Sequence, residues 1–482
     1  MCDFLLIYVA SDLVGVSVRE LTAYLDSKNI NTKLLFLAKE YWEEISEKEM
    51  ESIIKFARGA RLIGLSFFSN HLNMARFVTE QIRSKLDTPV ILGGVHPTIR
   101  PRQCLLFAKY VCVGEGENLI VKIFEINQGQ QKISLQHDIP GLWRNENGEI
   151  IERGFSEYLA DLDDLPAQNL FSEKASVIRN GEVTTIPKQI LKNYLRGRVS
   201  ILASRGCPFN CTFCINNFLN SNSGSPKIRR KSVKHLVDEI SAYLKEWPEI
   251  NLVRFCDDAF ISLPMPWMVE FCDIYKKQIG VPIDVAGVNP NHLREDKLAL
   301  LVGACLKTLR MGIQAGSESS RLDYKRRETN KSILELIKTL SRYDLKVRLD
   351  FILDNPFEKL TDQIKSLFFI NSIPLHCKLN FFSLTFYPGT EIYDRAVNEG
   401  LINDEEEYLS THESKQLKLT YINALNFYLS LRRRPNIILK LLTSKFIFHS
   451  PHAQIFRTYF VKKYPSPEIR YLTINTDRPS NN

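Results

Sequence analysis

The chain has 482 residues, 44% of them hydrophobic, and a formal net charge of +8. That length supports two to four domains with more than one core, and the composition is that of a soluble globular protein. No apolar run approaches the roughly 20 residues of a spanning helix. The start, MCDFLLIYVA, lacks the positive segment of a secretory signal. Most of the cysteines follow no regular spacing, which argues for a reduced, cytoplasmic chain and against a disulfide framework. The basic surplus gathers late, around SLRRRPNIILKLLTSKFIF and FRTYFVKKY. No recognition module accompanies it, so no nucleic-acid partner is expected.

In chain order, the first block alternates apolar strands with helical patterns. DFLLIYV, TKLLFL, ARLIGLSFF, PVILGG and YVCVGEGE are separated by helices near 16–27, 46–58 and 70–85. This predicts a doubly wound α/β domain of flavodoxin or Rossmann type over 1–130, with a parallel sheet covered on both faces. Residues 131–197 break that rhythm. GLWRNENGEIIERG reads as a hairpin and LADLDDLPAQNL as an acidic crossing, so the segment is expected to be a linker with a β-hairpin. The alternation resumes over 198–395, with strands expected at 198–204, 251–256, 282–287, 307–313, 346–353 and 379–386. Six such units predict a partial TIM-like (β/α)6 barrel with its chemistry at the strand C-terminal ends. Residues 396–482 read as a basic helical region with a frayed end, TINTDRPSNN.

SRGCPFNCTFCIN places Cys207, Cys211 and Cys214 within eight residues, just after the first barrel strand. Gly206 permits a sharp turn there and Pro208 stiffens the loop. Thiolates on a short loop hold iron–sulfur clusters. Three thiolates leave one iron of a cubane 4Fe–4S cluster open, and an open position is what a catalytic metal needs. A zinc site with a distant fourth ligand, or three incidental thiols, are the alternatives.

CPFNCTFC resembles the signature of the radical S-adenosylmethionine superfamily. The resemblance implies that the open iron chelates the amino and carboxylate groups of S-adenosylmethionine, and that one electron cleaves it to methionine and a 5′-deoxyadenosyl radical. LVRFCDDAFI is similar to the family's second-strand segment and implies that Asp257 and Asp258 lie near the amino group. LRMGIQAGSES resembles the fourth-strand segment and puts Gln314, Ser317 and Glu318 among the cosubstrate contacts. YKRRET resembles an R-x-x-T run and places Arg326 in register to hold the methionine carboxylate. LDFILDNPFEKLTD resembles a strand motif read as I-x-G-x-P-x-E, with Asp354 and Asn355 in place of small residues. FYPGTEIYDRA is similar to the sixth-strand P-G-T turn.

GGVHPTIRP followed by VCVGEGE resembles the cobalamin-binding domain fused to many such enzymes. This implies cobalamin contacts at Ser66, Gly93, Gly94, Gly114, Glu115, Gly116 and Glu117. The loop SDLVGVSVRE has no histidine, so cobalt is expected to lack a protein imidazole ligand, or the domain to have lost cobalamin. His96 follows the double glycine and is read as a turn residue.

Together the resemblances imply a cobalamin-dependent radical S-adenosylmethionine enzyme, with methyl transfer to an unactivated carbon as the first expectation and oxidative cyclisation or rearrangement as the second. A non-enzymatic iron–sulfur electron carrier or sensor is the alternative from a different class. Expected partners are a small-molecule or lipid-like substrate and an electron donor such as flavodoxin or ferredoxin, with peripheral membrane contact through the C-terminal region as a further possibility.

Overall fold

A computed structural model of the chain describes residues 2–168, 170–411, 417–418, 420–444 and 447. The first sheet has nine strands: β1 (Cys2–Val9), β2 (Thr32–Phe36), β3 (Ala60–Phe67), β4 (Val90–Gly93), β5 (Tyr110–Cys112), β6 (Leu142–Glu146), β7 (Glu149–Ile151), β8 (Ala175–Arg179) and β9 (Glu182–Thr185). Their order across the sheet is β7-β6-β5-β4-β3-β1-β2-β8-β9. Strands β5, β4, β3, β1, β2 and β8 run parallel. This is the doubly wound arrangement that the alternating pattern predicts. Its topological switch point lies between β1 and β3, and in such sheets ligands bind at the strand C-termini beside that point.

The strands are apolar on both faces because both faces are covered. Leu5, Ile7 and Val9 of β1 pack with Ile63, Leu65, Val90 and Leu92 and with Ile53, Ile54, Val78 and Ile82 of the helices. Those helices fall at Val16–Ser27, Glu47–Ala57 and Leu72–Lys85. The second is started by a capping box: Ser46 Oγ accepts from Glu49 N–H, and Glu49 Oε2 accepts from Ser46 N–H at 2.8 Å.

Residues 131–197 do more than link. The expected hairpin forms as β6–β7 and adds antiparallel to β5, while β8 extends the other side and turns back as β9. Both turns are Asn-Gly, with Asn147 and Gly148 at φ +54° and +96° and Asn180 and Gly181 at +53° and +79°. Two consecutive positive φ values suit the twist of a two-residue hairpin.

The second sheet contains β10 (Arg198–Ile201), β13 (Leu252–Phe255), β14 (Ile283–Val288), β15 (Leu306–Gln314), β16 (Lys346–Leu353) and β17 (Lys378–Ser383), in that order. The short pair β11 (Ser204–Arg205) and β12 (Arg229–Arg230) stands apart. Sequential order with parallel pairing from β14 to β17 is the winding of a TIM-like barrel. In β16, Val347, Leu349, Phe351 and Leu353 are buried, whereas the alternate residues Arg348, Asp350 and Ile352 are not. One face is therefore packed and the other is open and polar: Arg310 Nε donates to Asp350 Oδ2 at 2.7 Å, and Asn380 Nδ2 to Asp350 Oδ1 at 2.8 Å.

The C-terminal region is helical at Glu405–Thr411, Tyr421–Leu431 and Asn436–Leu442, while FRTYFVKKY and TINTDRPSNN lie outside the described residues. Among the described residues no helix is long and apolar enough to cross a membrane. The chain divides into two compact units. The first holds the described residues up to Pro208, with Cys214–Arg254 and Tyr387–Thr411; the second holds Phe209–Phe213, Phe255–Phe386 and the described residues after Thr411.

Candidate active site

The cysteine loop leaves β11 through Gly206, whose φ is +95°. A Cβ here would sit 2.3 Å from the carbonyl oxygen of Lys227, so backbone shape and space both require glycine. Cys207 and Cys211 are buried and Cys214 is half-buried. Asn220 Nδ2 donates to the Cys207 carbonyl at 2.8 Å and fixes the start of the loop. Thr212 Oγ1 donates to the Asp323 carbonyl at 3.0 Å, and Phe213 packs edge-on to Tyr324 at 5.1 Å. Cys214 is the N-cap of the helix Ile215–Asn222, and the positive end of that helix favours a thiolate.

Among the described residues no group of three His, Cys, Asp or Glu side chains converges to chelate a single metal ion. A cubane takes one thiolate per iron, so its cysteines must be spread around it, and a three-thiol loop fits that demand.

Behind the loop lies a charge network that sequence reasoning missed. Arg205, two residues before Cys207, places Nη2 2.8 Å from Glu117 Oε1 and 3.1 Å from Glu20 Oε2, with Nη1 3.4 Å from Glu115 Oε2. Arg229 also pairs with Glu115. Lys231 Nζ lies 3.2 Å from Glu20 and 2.8 Å from Glu239, whose other oxygen accepts from Tyr243 at 2.8 Å. Burial alone would raise the Glu115 carboxyl, but Arg229 and Arg205 outweigh it and hold the group below the ordinary carboxylate range. For Glu239, burial wins over Lys231 and the carboxyl is raised. The side chains of Glu115 and Glu117, expected beside cobalamin, are thus paired with arginines, and the Glu115 carbonyl accepts from Ser156 Oγ at 2.7 Å. The signal in the sequence was the basic run K-x-R-x-K across 227–231, which carries no partner information.

The other expected cobalamin positions sit at the ends of β3, β4 and β5. A Cβ on Gly94, at φ +94°, would lie 2.9 Å from Phe67 N and from Ser66 Oγ; one on Gly114, at φ +107°, would lie 2.6 Å from Ser156 Oγ. These glycines serve the chain's own close packing, while Gly93 has no atom nearer than 3.7 Å to such a Cβ. His96 is fully buried, with Nδ1 3.0 Å from Ser69 Oγ and Nε2 3.1 Å from Gln103 Oε1. Burial pushes its pKa down to about 4. Both nitrogens are engaged, and the residue expected in a turn lies instead in the short helix Val95–Ile99. Trp42 and Phe68, in the loops after β2 and β3, are 48% and 44% exposed.

In the barrel, Asp257 is buried and Asp258 exposed. β14 bulges near its end, and a Cβ on Gly287, at φ +68°, would be 2.9 Å from the Asp257 carbonyl and 3.0 Å from that of Asp258. The bulge and the glycine let β14 close on the acidic pair. Gln314 adopts φ +73° at a second irregularity, where β15 meets β16. Non-glycine residues are held in this region only when the surroundings enforce it, and such strain concentrates at functional sites. Ser317 is buried, its Oγ donating to Asp362 at 3.1 Å, and Glu318 Oε1 accepts from Asn330 N–H at 2.6 Å. Arg326 Nη2 donates to the Gly312 carbonyl at 2.7 Å and Nε to Glu328 Oε1 at 2.9 Å. A cavity of about 400 Å³ opens in this unit, lined by Gly316, Asp354, Asn355, Glu358 and the helix residues Asn423 and Asn426.

Comparisons with known proteins agree with this arrangement. Residues 201–367 match the Radical SAM superfamily model, and residues 3–124 match the B12 binding domain model. An uncharacterized methyltransferase of Pyrococcus horikoshii is 24% identical over 377 residues, covering 73% of this chain and 74% of that one. The bacteriochlorophyllide d C-8(2)-methyltransferase of Chlorobaculum tepidum is 22% identical over 391 residues, covering 77% and 76%. Among solved structures, the radical S-adenosylmethionine methyltransferase TsrM of Kitasatospora setae, with tryptophan substrate and a cosubstrate analog bound, superimposes with a TM-score of 0.65. It is 15% identical, over 82% of this chain and 76% of that one. The chain therefore carries a B12-binding domain followed by a radical SAM domain.

Proposed function

We propose that the protein transfers a methyl group from S-adenosylmethionine to an unactivated carbon of a small-molecule substrate. The observation that carries the reading is the pairing, in one chain, of a three-thiol loop after β11 with a doubly wound domain whose switch point lies between β1 and β3. Three relatives that align over about three quarters of the chain carry methyltransferase names, which supports methyl transfer over other radical outcomes. When bound, a cluster at Cys207, Cys211 and Cys214 supplies one electron to S-adenosylmethionine, and cobalamin supplies a methyl carrier.

The chain's own residues do the rest. Asp257 and Asp258 offer carboxylates to the cosubstrate ammonium group, and a charge-assisted hydrogen bond fixes its orientation. Gln314, Ser317 and Glu318, at and after the end of β15, offer further contacts to the cosubstrate. Ser66, Gly93, Gly94, Gly114, Glu115, Gly116 and Glu117 form the turns on which the corrin is held. A small reductant protein of the flavodoxin or ferredoxin kind delivers the electron.

Anaerobic reconstitution with iron, sulfide and cobalamin tests the reading. Reduced protein is expected to form 5′-deoxyadenosine and S-adenosylhomocysteine, and alanine at any one of the three cysteines to abolish both. Product lacking an added methyl group would replace methyl transfer with oxidative cyclisation; absence of 5′-deoxyadenosine would leave an electron carrier.

A further inference from the structure

Arg326 is buried at 7% exposure, and its guanidinium is used on three sides. Nη1 lies 3.8 Å from Cys211 Sγ, Nη2 is on the Gly312 carbonyl at 2.7 Å, and Nε is on Glu328 Oε1 at 2.9 Å. Three of its N–H groups are therefore engaged within the protein. Glu328 is 4% exposed, and among the described residues its second oxygen, Oε2, finds no hydrogen-bond partner. An orphaned buried carboxylate oxygen is costly and calls for an explanation.

We propose that Arg326 and Glu328 are a redox-tuning pair acting on Cys211: Arg326 raises the potential of a cluster held there and Glu328 limits the rise. This rests on the cluster assigned above. Reduction adds negative charge to the cluster and its sulfurs. A buried cation donating N–H to a ligand sulfur stabilises that charge, and hydrogen bonds to sulfur are a recognised control of cluster potential. Glu328 acts in the opposite sense, and its unsatisfied oxygen keeps its charge undamped. The Gly312 carbonyl anchors the guanidinium independently of Glu328, so the two charges can be removed one at a time. Arg326 is a positioning residue in this scheme, acting through Cys211.

The test is an electron-paramagnetic-resonance-monitored redox titration of the full-length, reconstituted protein without cosubstrate, comparing wild type with Arg326→Gln and Glu328→Gln at equal iron and sulfide per chain. Arg326→Gln is expected to lower the reduced-to-oxidised ratio at the wild-type midpoint about tenfold, a shift of about 59 mV for a one-electron couple. Glu328→Gln is expected to shift the midpoint the other way. Unchanged midpoints, or shifts of the same sign, overturn the pair. Should Arg326→Gln fail to take up iron, Glu328→Gln decides alone: an upward shift supports the pair and no shift overturns it. A wild type that takes up no cluster would instead defeat the proposed function, so the two failures are read from different measurements.

Discussion

Arg205 Nη2 lies 2.8 Å from Glu117 Oε1, and this contact ties the strand that enters the cysteine loop to the first residue of the helix after β5. Glu20, from the helix after β1, reaches the same nitrogen at 3.1 Å. The guanidinium is 16% exposed and the two carboxylates 5% and 1%, so little water screens them. Removing one member of a buried ionic cluster costs about 3–5 kcal/mol, because the partners are left charged and unpaired. Arg205→Met should lower the urea midpoint accordingly and reduce iron uptake per chain. Adding Glu117→Gln to it should restore part of the stability, which a double-mutant cycle reads directly.

The same network sets a pH dependence. Glu115 has its folded pKa depressed by Arg229 and Arg205 despite burial. Its contribution is therefore full above the ordinary carboxylate pKa and is lost as pH falls through the lowered folded value. Glu239, raised by burial, has the opposite sign. Arg229→Gln isolates Glu115: urea unfolding at pH 7 and pH 4 should show a smaller difference between variant and wild type at the acid end.

Gly206→Ala should cost more than its one methyl group suggests. A left-handed backbone penalises alanine by about 1–2 kcal/mol, and the new Cβ would press on the Lys227 carbonyl at 2.3 Å. The loop must shift to relieve it, carrying Cys207 along. Iron per chain after reconstitution should fall while far-ultraviolet circular dichroism stays close to wild type.

Asp354 stands where the family motif carries a small residue, and it holds φ +60°. Its carboxylate accepts from Ser383 Oγ at 2.9 Å, Lys418 N–H at 2.9 Å and Asn423 Nδ2 at 2.7 Å, so it fastens the helix Tyr421–Leu431 to the end of β16. Asp354→Gly relieves about 1–2 kcal/mol of backbone strain but loses hydrogen bonds to a charged acceptor, each worth about 1.5–3 kcal/mol. The net result should be a lower melting temperature and faster amide exchange over 421–431; Asp354→Asn should fall between.

The parallel sheets were legible because fully buried strands and amphipathic helices print their periods plainly: Lys346–Leu353 is found at the expected residues, and 379–386 begins one residue early and ends at Ser383. The β8–β9 edge of the first sheet was missed. Asn180-Gly181 is a two-residue hairpin turn, but the polar β9 beside it shows little apolar alternation. The cysteine loop was legible from spacing alone, since its three thiols are neighbours in the chain. The salt network was not: Glu20, Glu117, Arg205 and Lys231 meet from separations of up to 211 residues, and single charged residues announce no partner. Arg326 was found by motif register, but its contact with Cys211 depends on folding across 115 residues.

The first sheet ends on both sides in short antiparallel strands, with Glu149, Glu182, Thr184 and Thr185 exposed on β7 and β9. Bare parallel strands would template pairing with another copy; charged, brief borders do not. The borders of this sheet therefore offer a second copy only short, polar strands to pair with.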